Sequence, residues 1–221
     1  MRALMKRTLL VLALSLTACS TAQLDLPSDS LPVSGANPRR WNAPVSFGEW
    51  RTQSVNEGTS RSILSSLGIV DLGKADQAYR LTLNDVAVEC HTREVVIGAA
   101  GFFIDANLGS EPLLVCGYEG GGKRSALALS RTGKTEPSLR GELREQDGPA
   151  FEVRSLHRAI GMRYPSGDPF GFEIVRDGKR VAAVETMNRG RVWIEPRAEN
   201  RNMLAAAAAS LLLFREPEVM D

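Results

Sequence analysis

The segment from Met203 to Phe214 constrains the fold of this chain most, because it is apolar on every side. It consists of strong helix formers, and Ser210 is its one polar residue. We expect a helix over about 202–214, capped by Asn200 or Asn202. Twelve helical residues rise only about 18 Å, well short of the roughly 30 Å hydrocarbon core of a bilayer. A helix that is apolar all round must be buried, so the rest of the chain must enclose it.

The residues before this helix show the alternation of apolar and polar side chains that is typical of strands. The predicted strands are Tyr79 to Leu83, Val86 to Val88, Glu94 to Ile97, Leu113 to Cys116, Ala126 to Leu129, Phe151 to Ser155, Phe172 to Arg176, Lys179 to Val184 and Val192 to Ile194. Asn84-Asp85 and Asp177-Gly178 suit tight hairpins. We therefore expect a mainly β (α+β) fold, an antiparallel β-barrel or strongly curled sheet around the buried C-terminal helix.

The N-terminus has the order of an export signal, with basic residues followed by the apolar run from Leu9 to Leu14. Leu16-Thr17-Ala18-Cys19 then resembles the lipobox of bacterial lipoproteins. The resemblance implies that residues 1–18 are a signal peptide and that the Cys19 thiol is lipidated, which anchors the protein in the cell envelope. Ser20 is not the aspartate that retains such proteins at the inner membrane. The resemblance thus implies the outer membrane, with the protein facing the periplasm.

The expected cut divides the rest of the chain into two parts. Residues 19–40 contain three prolines and little periodicity, and we expect a flexible tether there. Residues 41–221 suit a single domain. Removing the first 18 of 221 residues, with three of the 27 basic side chains and no acidic one, leaves 203 residues with 24 basic and 26 acidic side chains. A net charge of −2 argues against a nucleic-acid partner, so we expect the acyl chains to be the contact with the membrane.

Two cysteines remain once Cys19 is acylated. Export to an oxidising compartment predicts a disulfide between Cys90 and Cys116, worth roughly 3.5 kcal/mol in the chain-entropy model. The alternative is a metal or redox site that includes the neighbouring His91. Adjacent residues on a strand point to opposite faces and no fourth ligand is evident, so we expect the disulfide and no metal or cofactor.

The end of the chain resembles a known fold family. Gly171-Phe172-Glu173-Ile174, Val192-Trp193-Ile194 and the apolar helix follow one another as in the tubby C-terminal-like group, which includes the phospholipid scramblases. The resemblance covers about Phe151 to Phe214 and implies a closed antiparallel barrel around a central helix. No phosphoinositide-binding residue and no calcium segment of that group is matched here, so the resemblance assigns no site.

Three patterns in the sequence are candidates for chemical sites. Gly117 to Lys123 has the spacing of a phosphate-binding loop, but Arg124 replaces the magnesium-binding hydroxyl, and a glycine-rich hairpin is expected. Ser155 and His157 share one face of a predicted strand, where Asp168 or Glu173 would orient the ring. The carboxylates Glu142, Glu145 and Asp147 lie in a charged segment with Arg140 and Arg144, for which we expect a solvated edge.

These features predict a lipid-anchored envelope protein that acts as a non-enzymatic binding or scaffolding module. Its expected partners are the membrane, through the acyl chains, and an envelope protein or lipid. One alternative is a lipid-handling protein that uses the helix-filled barrel. The other is a hydrolase that uses Ser155 and His157.

Overall fold

The computed structural model describes residues 22–35, 44–57, 63, 77–92, 112–132 and 138–215. These residues form twelve strands and one helix. The strands are β1 (Leu31–Pro32), β2 (Ser46–Phe47), β3 (Trp50–Glu57), β4 (Gln77–Leu83), β5 (Val86–Thr92), β6 (Pro112–Gly120), β7 (Lys123–Thr132), β8 (Ser138–Glu145), β9 (Ala150–Leu156), β10 (Gly171–Arg176), β11 (Lys179–Glu185) and β12 (Arg191–Ile194), and the helix is α1 (Arg201–Leu213).

The strands form an antiparallel, nearly closed barrel. From β2 to β12 each strand pairs with its neighbours in sequence, and β1 pairs with β12. Beyond β1, Ser34 exchanges two backbone hydrogen bonds of 2.8 and 2.9 Å with Ser46 at the start of β2. These two bonds bring the ends of the sheet together and confirm the predicted barrel.

Helix α1 fills the barrel, as its composition predicts. Every residue from Met203 to Phe214 is buried. Alternate strand residues point inward and pack on the helix, among them Leu81, Leu127 and Val184. The helix therefore provides the apolar centre that the sheet encloses.

The two ends of the barrel differ. Five tight turns lie at the end where α1 begins, namely 48–49, 84–85, 121–122, 146–149 and 177–178, and we call this the hairpin end. At the opposite end, the loop end, lie the β9–β10 loop (157–170), the β11–β12 turn (186–190) and the end of α1, where Phe214 packs edge-on against Phe172.

The predicted tether over residues 19–40 is wrong for residues 22–35, which pack on the barrel. Leu24 is 2% exposed and lies over Gly171, where a side-chain Cβ would come within 2.6 Å of the leucine Cδ1. Val33 is also buried, and β1 pairs with β12. Isolated apolar side chains among polar residues and prolines give no periodic signal. Its proline content and lack of periodicity therefore predict a linker, although the segment packs on the barrel.

The prediction of a solvated edge for the charged segment 140–147 is also wrong. Arg140, Glu142 and Arg144 belong to β8 within the sheet. The outward face of a barrel strand is in water and accepts charges, which masked the alternation. The structure also adds β3 to the predicted strands, whereas the predicted strand from Glu94 to Ile97 lies outside the described residues.

Candidate functional site

A cavity of about 360 Å³ opens at the hairpin end beside the start of α1. Tyr118, Ser125 and Glu145 line one wall and are direct register partners across β6, β7 and β8. All three side chains point inward and are more than nine-tenths buried. One step deeper, the same strands contribute the apolar row Cys116, Leu127 and Leu143. The cavity thus lies where the apolar core gives way to polar side chains.

Glu145 is the most unusual group in this cavity. Its side chain is 8% exposed, and Lys123 Nζ, at the end of a 71% exposed side chain, lies 3.9 Å from the carboxylate. That distance is too long for a hydrogen bond. Within the described ranges, neither the Glu145 carboxylate nor the Ser125 hydroxyl has a side-chain hydrogen bond. These acceptor oxygens open toward the cavity and accept no hydrogen bond from the described chain, so this wall is suited to receive a donor.

The remaining charges give the cavity an excess of carboxylates. Asp85 and Glu199 line it together with Glu145, and Lys123 and Arg201 are the basic residues there. The Arg201 guanidinium is engaged elsewhere, because it lies 3.0 Å from Glu49 and stacks over the ring of Trp50. The first turn of α1 has no acidic residue and no side-chain cap. The partial positive charge at the N-terminus of the helix therefore lies toward the side of the cavity that carries Glu145.

The sequence predicts the rim of this cavity but not its wall. Gly117 to Lys123 is part of the β6–β7 hairpin, as predicted, and the structure places Gly121 and Gly122 at positive φ. The prediction of a solvated edge is wrong for Glu145, which is buried. The signal that identifies it is the inward alternation Leu139, Gly141, Leu143, which places the next alternate residue inside the barrel.

Cys90 and Cys116 form the predicted disulfide. They are direct partners in the β5–β6 ladder and point into the barrel. His91 lies on the outer face of β5, 3.3 Å from Glu89. The structure therefore does not assemble the alternative Cys90, His91 and Cys116 site, and within the described ranges no group of three metal-ligating residues occurs.

The pair of Glu89 and His91 belongs to a buried polar cluster outside the barrel. Glu89 accepts a 2.9 Å hydrogen bond from the Ile63 amide, and Arg80 lies at 3.6 Å. Burial alone would raise the pKa of Glu89, but the hydrogen bonds from His91 and Ile63 and the charge of Arg80 outweigh burial and lower it. The carboxylate is satisfied, as in a structural ion cluster.

Ser155 and His157 do meet. Ser155 Oγ lies 2.7 Å from His157 Nε2, and His157 Nδ1 lies 3.0 Å from the carbonyl oxygen of Ser166. A carbonyl only accepts, so Nδ1 carries a proton, and in the neutral ring Nε2 accepts from the Ser155 hydroxyl. The predicted orienting residues are wrong: a carbonyl holds the ring, and Glu173 bonds to Arg180 at 3.0 Å.

Cys19 and the predicted signal peptide lie outside the described residues. In the part of the chain that the structure describes, no helix is long and apolar enough to cross a membrane. No protein-family model, curated protein or solved structure matches the chain. The lipobox and the likeness to the tubby C-terminal-like group therefore stay predictions.

Proposed function

We propose that this chain is a lipoprotein of the bacterial outer membrane, held by acyl chains on Cys19 and facing the periplasm. Its barrel acts as a non-enzymatic binding module at the hairpin end. The observation that carries the binding role is the Glu145 carboxylate, which opens into a cavity and accepts no hydrogen bond from the described chain.

The chemistry of the cavity favours a ligand with a primary ammonium group. Such a group donates three hydrogen bonds, and Glu145 and Ser125 offer acceptors in one wall. Charge-assisted hydrogen bonds to a buried carboxylate are about twice as strong as neutral ones. Val86 and Met203 supply apolar surface for a short carbon stem. A volume of about 360 Å³ is at the small end of the range for ligand sites.

The binding role is tested by calorimetry on the full protein with pentylamine as the probe and 1-pentanol as its neutral analogue. We expect Glu145→Gln to weaken pentylamine binding by about tenfold or more, since it removes the charged acceptor. Glu142→Gln is the matched control, because Glu142 lies on the outer face of the same strand. Equal binding of amine and alcohol, or equal loss in both variants, would contradict the proposal.

The substitution Lys123→Gln distinguishes a cationic ligand at Glu145 from an anionic ligand at the start of α1. If the ligand is a cation, Lys123 competes with it for Glu145, and Lys123→Gln will tighten pentylamine binding. If the site takes anions, the same substitution will abolish binding of an anionic probe such as pentanoate. Unchanged melting of each variant establishes that the fold is intact.

The anchor is tested separately by intact-mass measurement on protein extracted from the envelope. We expect a chain that begins at Cys19 and carries diacylglycerol. Recovery of the protein with an unmodified thiol, or with Met1 still present, would refute the lipoprotein assignment and leave the binding measurement unaffected.

A second candidate function is acyl hydrolysis by Ser155, favoured by its 2.7 Å contact with His157. The Ser155 oxygen would attack an acyl carbonyl carbon while its proton passes to His157 Nε2, which then protonates the leaving group. A fluorophosphonate probe should then label Ser155 in the parent protein and not in His157→Ala. Absence of labelling in the parent would eliminate this candidate.

A further inference from the structure

The loop end exposes two large apolar side chains that are four positions apart in sequence. Ile160 is 65% exposed and Tyr164 is 68% exposed, and both belong to the β9–β10 loop. Among the described residues these are the large hydrophobic side chains that the fold leaves open to solvent. Their position in one loop makes a local apolar surface.

Basic side chains surround this surface. Arg158 and Arg163 are exposed in the same loop, and Arg189 is exposed in the β11–β12 turn. The Arg163 guanidinium lies 5.4 Å from the ring centre of Tyr164. Asp168 is the one acidic residue of these two segments. An aromatic ring, an apolar side chain and arginines are the composition of a surface that meets lipid headgroups.

The chain leaves the barrel at this same surface toward Cys19. The Ile160 amide donates a 2.8 Å hydrogen bond to the Gln23 carbonyl, and the Asn188 side chain donates one of 3.1 Å to the Ala22 carbonyl. Ala22 is the third residue after Cys19, so the two Cα atoms are at most about 11 Å apart. An anchor on Cys19 therefore cannot lie far from Ile160.

We propose that the loop end rests on the lipid bilayer, with Ile160 and Tyr164 at the headgroup level and the arginines toward anionic lipids. This inference depends on the proposed lipidation of Cys19. The near-neutral mature chain does not need to be attracted to the membrane, because the acyl chains hold it and the loop orients it. The hairpin end, on the far side of the barrel, then presents the Glu145 cavity to the periplasm.

The depth of a fluorophore in the bilayer tests this orientation. An introduced cysteine can be labelled selectively, because Cys90 and Cys116 are bonded to each other and Cys19 is acylated under the proposal. Tyr164→Cys places a fluorophore at the loop end. Asp177→Cys is the matched control in the tight turn at the opposite end of β10, where the side chain is 88% exposed. Acylated protein of each variant is reconstituted into vesicles of phosphatidylcholine and phosphatidylglycerol that contain a doxyl-labelled lipid.

We expect the fluorophore at position 164 to shift to the blue and lose most of its emission to the lipid quencher, and the one at position 177 to keep its emission. Ile160→Cys should behave like Tyr164→Cys. If the protein is acylated and bound to vesicles while both positions are quenched equally, the orientation is overturned and the lipoprotein assignment stands. If the intact mass shows no acyl group on Cys19, the orientation and the lipoprotein assignment are both overturned.

Discussion

Ser210 is the polar residue within the apolar stretch of α1, and it organises three hydrogen bonds inside the barrel. Its hydroxyl donates to the Ala206 carbonyl at 3.0 Å and accepts from the Tyr118 hydroxyl at 3.3 Å. Its carbonyl accepts from the Tyr79 hydroxyl at 2.9 Å. Both tyrosines are fully buried, so these bonds fix the helix at one depth within the barrel.

The two sides of the Tyr118 and Ser210 bond should respond unequally to truncation. Ser210→Ala leaves a buried tyrosine hydroxyl without its acceptor and should lower the free energy of unfolding by about 1–3 kcal/mol. Tyr118→Phe leaves Ser210 bonded to Ala206 and should cost about 1 kcal/mol. Urea unfolding of both variants and of the double variant measures the coupling. Strictly additive losses would show that the bond contributes nothing.

Burial of the same tyrosines predicts alkaline sensitivity. Burial raises the pKa of Tyr79 and of Tyr118 above that of an exposed tyrosine, and the hydrogen bond to Ser210 only partly opposes this for Tyr118. Below about pH 10 the folded and unfolded states both keep the protons, and there is no effect. Above it only the unfolded state releases them, so stability should fall by about 1.4 kcal/mol per pH unit for each tyrosine.

Urea unfolding between pH 9 and the alkaline limit of the fold measures that slope. Tyr118→Phe removes one of the two groups and should flatten it. A slope that is the same in the parent and in Tyr118→Phe would mean that Tyr118 ionises freely in the folded state.

At the scale of elements, sequence alone predicted those strands whose inward and outward faces differ clearly. β4 alternates, and the Asp177-Gly178 turn joins β10 and β11, so the sequence predicts all three. β3 was missed because its inward positions include the polar Thr52, whose hydroxyl accepts a 2.8 Å hydrogen bond from the Val45 amide. A hydrogen bond made across strands satisfies that side chain, and no local pattern encodes it.

Helix α1 is predicted from its local run of strong helix formers alone, without knowledge of the strand order. Its burial gives a direct test. Ala207→Asp puts a charge on a fully buried position of the hydrophobic core, and should lower the free energy of unfolding by several kcal/mol. Asn202→Asp is the control: it adds the same charge to the exposed first turn of α1, keeps the acceptor for the 3.2 Å bond from Trp50, and favours the helix dipole. Equal melting temperatures of both variants would place Ala207 outside the core.

At the scale of the whole molecule, the cavity and the anchoring surface arise from long-range pairing. The sequence places Ser155 and His157 on one face because they are two residues apart, whereas Glu145 becomes a site residue only when α1 begins beside β8. Similarly, residues 22–35 join the barrel because Leu24 fills the space over Gly171 and β1 pairs with β12. Neither relation is visible until the strand order is known.

The packed segment before β1 should hold the barrel against the membrane, and Leu24 is the residue on which this depends. Leu24→Asp places a charge in a site that is 2% exposed, which should release residues 22–30 from the barrel surface. The twelve residues from Cys19 to Ser30 would then act as a linker with a reach on the order of 20 Å. The fluorophore at position 164 should lose its quenching by lipid while the acylated protein stays on the vesicles. Ser28→Asp is the control, because it adds the same charge at an exposed position of the same segment and should leave the quenching unchanged. If Leu24→Asp keeps the quenching of the parent, the Ile160 and Tyr164 surface must hold the membrane by itself, and the packed segment has no part in orienting the barrel.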